Sequence, residues 1–130
     1  MSAMFKVQES IFNALTANSV LMASVQGVFD HPPVNAKYPY ITIGNMTELS
    51  NNRLFEVGFR VTANIDIYAK TGRGGTKQVK EILEKVNNVL NLKILSLSGF
   101  TMVQIYYTDS EVIKQDDITQ VSANYTILAE

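Results

Sequence analysis

The chain has 130 residues, 46% of them hydrophobic and 18% charged, with a formal net charge of −1. Length and composition suit one folded domain with its own core and exclude global disorder, and so small a charge leaves no chain-wide basic excess for nucleic acid or anionic lipid. Cysteine is absent, which excludes disulfides, thiolate nucleophiles and cysteine-based metal sites together.

Near the N-terminus, Lys6 and Glu9 stand where a signal peptide needs an unbroken apolar run, and no apolar stretch is long enough to cross a bilayer. The expectation is a soluble protein made in a cytoplasm. Met4, Val7, Ile11, Ala14 and Leu15 recur at helical spacing, with Phe5 and Phe12 widening the stripe, and predict a helix from Ala3 to Ala17. Ser19 is the expected N-cap of a short second helix through Val20 to Val25, with Gly27 as its stop. The segment from Val28 to Pro33 must be extended or turned, because Pro32 and Pro33 exclude helix. A strand is predicted over Tyr38 to Gly44, beginning at or after Pro39, and the polar stretch from Thr47 to Asn52 reads as a hairpin turn.

The strongest pattern follows. Phe55, Val57, Phe59, Val61, Ala63, Ile65 and Ile67 alternate with Glu56, Gly58, Arg60, Thr62, Asn64, Asp66 and Tyr68. Alternation at period two puts the apolar set on one face of a strand and the mostly polar set on the other. At ~3.3 Å per residue this strand spans roughly 40 Å, more than a small sheet needs, so part of it is expected to bend at Gly58 or to project as an arm. Thr71 to Gly75 is a glycine-rich connector. Thr76 is the expected cap of a helix to Asn91 with Val79, Ile82, Leu83, Val86, Val89 and Leu90 inward, and Glu81 is spaced to pair with Lys85. Phe100 to Thr108 reads as a third strand, Asp109 to Asp117 as a polar excursion, and Thr119 to Ala129 as a fourth strand. The order predicts an α+β fold: a four-stranded, mainly antiparallel sheet with a long β-hairpin, packed against an N-terminal helical pair and one long amphipathic helix, all in one domain over residues 1–130.

Few residues suggest chemistry. The 71–77 loop follows a strand and precedes a helix, as nucleotide loops do. However, Lys77 stands where the dinucleotide fingerprint needs its third glycine, and Thr76 precedes Lys77 where a phosphate loop needs the reverse. A small-ligand or nucleotide-binding module using this loop is the alternative function. His31 is the only histidine and reads as a turn residue, with no visible partner nucleophile. Asp109, Glu111, Asp116 and Asp117 form an acidic group, but no glycine supplies the turn of a calcium loop. Tyr106 and Tyr107 lack flanking cations for base stacking. No catalytic, cofactor or metal site is expected. One asymmetry remains: Lys70, Arg73, Lys77, Lys80 and Lys85 precede the acids at 109–117, and in a ring of identical copies one patch could meet the other.

Taken together, the layout resembles the phage tail-completion proteins, the small head–tail joining or tail-terminator proteins of long-tailed bacteriophages and prophages. The match rests on the helical pair ending at Leu21 to Gly27, on Val28-Phe29-Asp30 with its proline-bearing loop and Tyr38 to Gly44, on the alternating strand closing at Asn64 to Tyr68, and on the helix through Leu90 with two closing strands. The resemblance implies a non-catalytic structural protein of the virion, a ring, usually hexameric, at the head-proximal end of the tail tube. Its implied partners are itself, the tail-tube protein and the head connector or neck protein. DNA would pass through the lumen unread, and no membrane would be involved. Assembly would take place in the host cytoplasm. Expected interface residues are Glu56, Arg60, Thr62 and Asn64 on the polar strand face, Arg73 and Lys77, and the acids Asp109, Glu111, Asp116 and Asp117.

Overall fold

The computed structural model describes residues 3–53, 56–73, 75–94, 99 and 103–129. In chain order these form α1 (Met4–Thr16), α2 (Ser19–Met22), β1 (Val28–Phe29), β2 (Tyr40–Arg53) and β3 (Glu56–Lys70). After a 3-10 turn (Thr71–Arg73) come α3 (Gly75–Leu90), β4 (Lys93–Ile94), β5 (Val103–Gln115) and β6 (Ile118–Ala129).

The strands make a six-stranded sheet in the order β1-β2-β3-β6-β5-β4. It is mixed: β1 runs parallel to β2, and the remaining pairs are antiparallel. The four-stranded sheet expected from the sequence is therefore incorrect, although its α+β character stands. The two additional strands lie at opposite edges and are two residues long each. Period-two alternation needs about four residues to register, so neither leaves a trace in the pattern.

Two supposed loops are also strand. Thr47 to Asn52 continues β2 and pairs with β3, from Thr47 opposite Thr62 to Asn52 opposite Val57. Asp109 to Gln115 continues β5 against β6, so only Asp116 and Asp117 remain as the turn. Asp116 takes φ +55°, the left-handed conformation that aspartate tolerates better than most residues. Polar side chains misled the reading in both places, because one face of each strand is solvated and a β-bulge breaks the alternation near Ile43 and again near Tyr107. The expected start of the third strand at Phe100 lies outside the described residues, as does Phe55.

The core forms where the alternation predicted it. Val61, Ala63, Ile65, Ile67 and Ala69 on β3 and Val121, Ala123, Tyr125, Ile127 and Ala129 on β6 are buried. They meet Val7, Ile11 and Leu15 of α1 and Val79, Ile82, Val86 and Leu90 of α3, while Leu83 and Val89 are partly buried. Full burial of one such Ile or Leu is worth about 1.5–3 kcal/mol. At α2 the N-cap is Asn18 instead of Ser19: its Oδ1 accepts from Leu21 N–H at 2.9 Å. Thr76 lies inside α3, which begins at Gly75. Lys85 does not pair with Glu81; it donates to Ser24 Oγ in the turn just past α2, and Glu81 faces Lys77 at 3.8 Å instead.

Candidate assembly surface

Helices cover one face of the sheet, leaving the alternate side chains of β3, β6 and β5 on the other. Strand register fixes what meets there. Asp66 lies opposite Ser122, Asn64 opposite Asn124, and Thr62 opposite Thr126; Asp109 lies opposite Asn124 and Glu111 opposite Ser122. The side chains join into a polar file. Gln120 Nε2 donates to Asp66 Oδ1 at 3.1 Å and Asn124 Nδ2 to Asp109 Oδ1 at 2.8 Å. With its amide turned toward Asp66, Asn64 donates to both carboxylate oxygens at 3.0 and 2.8 Å and accepts from Ser122 Oγ at 2.7 Å.

Gly44, in the β2 bulge, allows this file to pack closely. A Cβ there would lie 2.8 Å from the Asn64 side-chain amide and 3.0 Å from Asp66 Oδ2.

At the end of the sheet where β3 finishes, aromatic rings gather. Tyr40 stacks on Tyr68 with centroids 5.1 Å apart, Tyr38 lies 5.1 Å from Tyr40, and Phe29 meets Tyr40 edge-on at 5.8 Å. Lys70 Nζ sits 4.7 Å above the Tyr38 ring and 3.1 Å from Asp117 Oδ2. The Lys70 hydrogen bond and charge hold the Asp117 carboxyl below its usual range. Burial, then the neighbouring Tyr38, pushes the Tyr40 hydroxyl up to about 12. Burial first, and Asp66 second, raise Tyr68 as well. An open cleft of about 810 Å³ lies beside this corner, edged by Gln26, Lys37, Tyr38, Lys70, Gly72 and Asp117.

The expected interface residues are thus divided. Arg60, Thr62, Asn64, Asp109 and Glu111 share the helix-free face, with Arg60, Asp109 and Glu111 exposed. Asp116 and Asp117 sit at the β5–β6 turn, and Asp117 already holds Lys70 of its own chain. Lys77 is exposed on α3, in the helical layer. Glu56 pairs with Arg53 through its backbone and Arg73 ends the 3-10 turn; the side chains of both lie outside the described residues. The supposed basic patch is diluted, since Lys77 and Lys80 share the exposed side of α3 with Glu81 and Glu84.

In the glycine loop, Thr71 N–H donates to the Asp117 carbonyl at 2.7 Å, so this donor is turned to the β5–β6 turn and not toward a ligand. His31 is exposed, and no group of metal-binding side chains occurs among the described residues. No described helix is long and apolar enough to cross a membrane. Sequence reasoning missed the tyrosine corner and the β6 half of the polar file. The signal for the latter was present in Gln120, Ser122 and Asn124, spaced two apart as Thr62, Asn64 and Asp66 are.

The family model for "Tail completion protein gp17" matches residues 9–130. The chain belongs to the gp17 tail-completion family. It is a structural component of a phage-type tail and of the virion. Tail completion protein gp17 of Bacillus phage SPP1 is 25% identical over 111 residues, covering 85% of this chain and 81% of that protein. The solved structure of SPP1 gp17 shares the fold with a TM-score of 0.56 at 20% identity, over 98% of this chain and 91% of that one. A chain in the virion of a native gene transfer agent particle superposes with a TM-score of 0.88 at 19% identity, over 99% of this chain and 98% of that one.

Proposed function

We propose that this gp17-family protein forms a ring, a hexamer by family resemblance, at the head-proximal end of the tail tube. There it stops tube growth, docks to the head connector, or does both. The observation that carries this reading is the family match over residues 9–130. The near-complete superposition on a chain of an assembled gene transfer agent virion supports it. The ring works by surface complementarity, without a chemical step, and leaves a lumen for DNA. Copies fold as one domain each in the host cytoplasm and then meet the tail-tube protein and the connector.

Electron microscopy of particles made without the gene tests the position. Overlong tails identify a terminator. Finished tails beside separate filled heads identify a joining protein. Normal, infectious particles would refute both roles.

A further inference from the structure

Both long outer strands of the sheet have bare edges. On one side β1 covers β2 only at Ile41 and Thr42. On the other, β4 covers β5 only at Gln104 and Ile105. Among the described residues no other backbone pairs with the outer edge of Met46–Arg53 or of Asp109–Gln115. Bare edges of this length invite pairing with another chain.

The two edges suit each other. Successive antiparallel pairings from β2 through β3 and β6 to β5 make β2 and β5 run in opposite directions. A copy brought alongside by rotation about an axis along the strands therefore sets its β5 antiparallel to β2. The pleat then restricts the register, because opposed residues must share a face. Past its bulge, β2 puts Glu48 on the helix side with Met46, and Leu49 on the free side. On β5, Lys114 faces buried Thr119 and Val112 faces buried Val121, whereas Asp109, Glu111 and Ile113 share the polar file's face.

One register that obeys this parity opposes Leu49 to Ile113, an apolar pair, and sets the exposed Lys114 opposite Glu48, whose Oε2 also accepts from Ala3 N–H at 2.6 Å; Leu49 is 66% exposed in the lone chain. We infer that neighbouring copies of this protein join by antiparallel pairing of β2 Met46–Arg53 with β5 Asp109–Gln115 of the next copy. This deepens the ring reading and rests on it. The contact is head-to-tail, the kind that makes a ring where its rotation closes and an open filament where it does not. It offsets successive copies along the strands, so the strands must tilt against the ring axis, as they do in closed barrels. The short strands β1 and β4 mark where each free edge begins.

The absence of native cysteine allows a direct test. The double variant Leu49→Cys/Ile113→Cys places thiols across one antiparallel pair, within disulfide reach. On mild oxidation it should yield a ladder of covalent oligomers on non-reducing gels, ending at the ring mass. Leu49→Cys alone and Ile113→Cys alone should yield none. Light scattering on the same samples separates the two levels of the idea. A ring that forms without crosslinks, or single variants that crosslink, overturns the strand pairing and leaves the ring intact; a protein that stays monomeric overturns both. Hydrogen exchange of the unmodified protein gives a second readout that does not depend on variant folding. Amides of 46–53 and 109–115 should slow on assembly, and unchanged exchange there in an assembled ring refutes the inference.

Discussion

Tyr125 joins sheet to helix, and removing its hydroxyl probes that joint. The side chain is fully buried, its ring lies edge-on to Tyr107 with centroids 5.7 Å apart, and its hydroxyl donates to Asn87 Oδ1 on α3. Tyr125→Phe keeps the ring and the packing and removes only that bond. A neutral hydrogen bond contributes about 1 kcal/mol net, and the full penalty for an orphaned acceptor is not due here because half-buried Asn87 can take up water. For 130 residues, about 1 kcal/mol lowers Tm by about 4 °C. Tyr125→Ala, which empties the ring's space as well, should cost about 3–5 kcal/mol. Thermal and urea unfolding of Tyr125→Phe, Asn87→Ala and the double variant give the coupling, expected at about 0.5–1.5 kcal/mol. A Tyr125→Phe protein as stable as the parent, with no coupling to Asn87, would show that this bond contributes nothing to holding α3 on the sheet.

Alkaline titration should expose the same residue. Tyr125, Tyr40 and Tyr68 all have raised pKa values, in each case chiefly from burial. Unfolded tyrosines ionise near about 10 while the folded ones keep their protons, so stability is whole below about pH 10 and falls above it; urea midpoints at about pH 8 and about pH 11 should differ, and less so in Tyr125→Phe. Gly44→Ala should destabilise by about 1–2 kcal/mol, because its Cβ meets Asn64 and Asp66 at 2.8 and 3.0 Å. Adding Asn64→Ala should recover part of that loss in the same unfolding assay. In Lys70→Ala, NMR titration should find the Asp117 carboxyl returned upward toward its ordinary range, since Lys70 is the main cause of its depression.

The sequence made the core legible and the edges illegible, for a physical reason. Buried faces impose a period: Val61, Ala63, Ile65 and Ile67 on β3, and Val79, Ile82, Val86 and Leu90 on α3, are inward as their spacing demands. Where one face meets solvent and a bulge adds a residue, the period breaks, and polar strand looks like turn. That is why Thr47 to Asn52 and Asp109 to Gln115 misread. The two-residue strands β1 and β4 depend on neighbours far along the chain, Ile41 and Ile105 among them, and no local pattern announces such pairing.

The surface residues follow the same division. Alternation on β3 was enough to place Arg60, Thr62 and Asn64 on one face, but their company depends on register. Asn64 reaches Ser122 and Asp66 because β6 aligns Ile65 with Ala123; a slip by one residue would bury the whole polar file against α3. The charge pattern along the chain was a poorer guide than the strand order. Lys70 and Asp117 look like halves of separate patches in the sequence, yet β3 and β6 bring Lys70 beside Ile118 and the pair closes within one subunit. In the proposed ring, attraction between copies would have to come from charges left exposed along the strand edges, such as Lys114, and not from the Lys70–Asp117 pair.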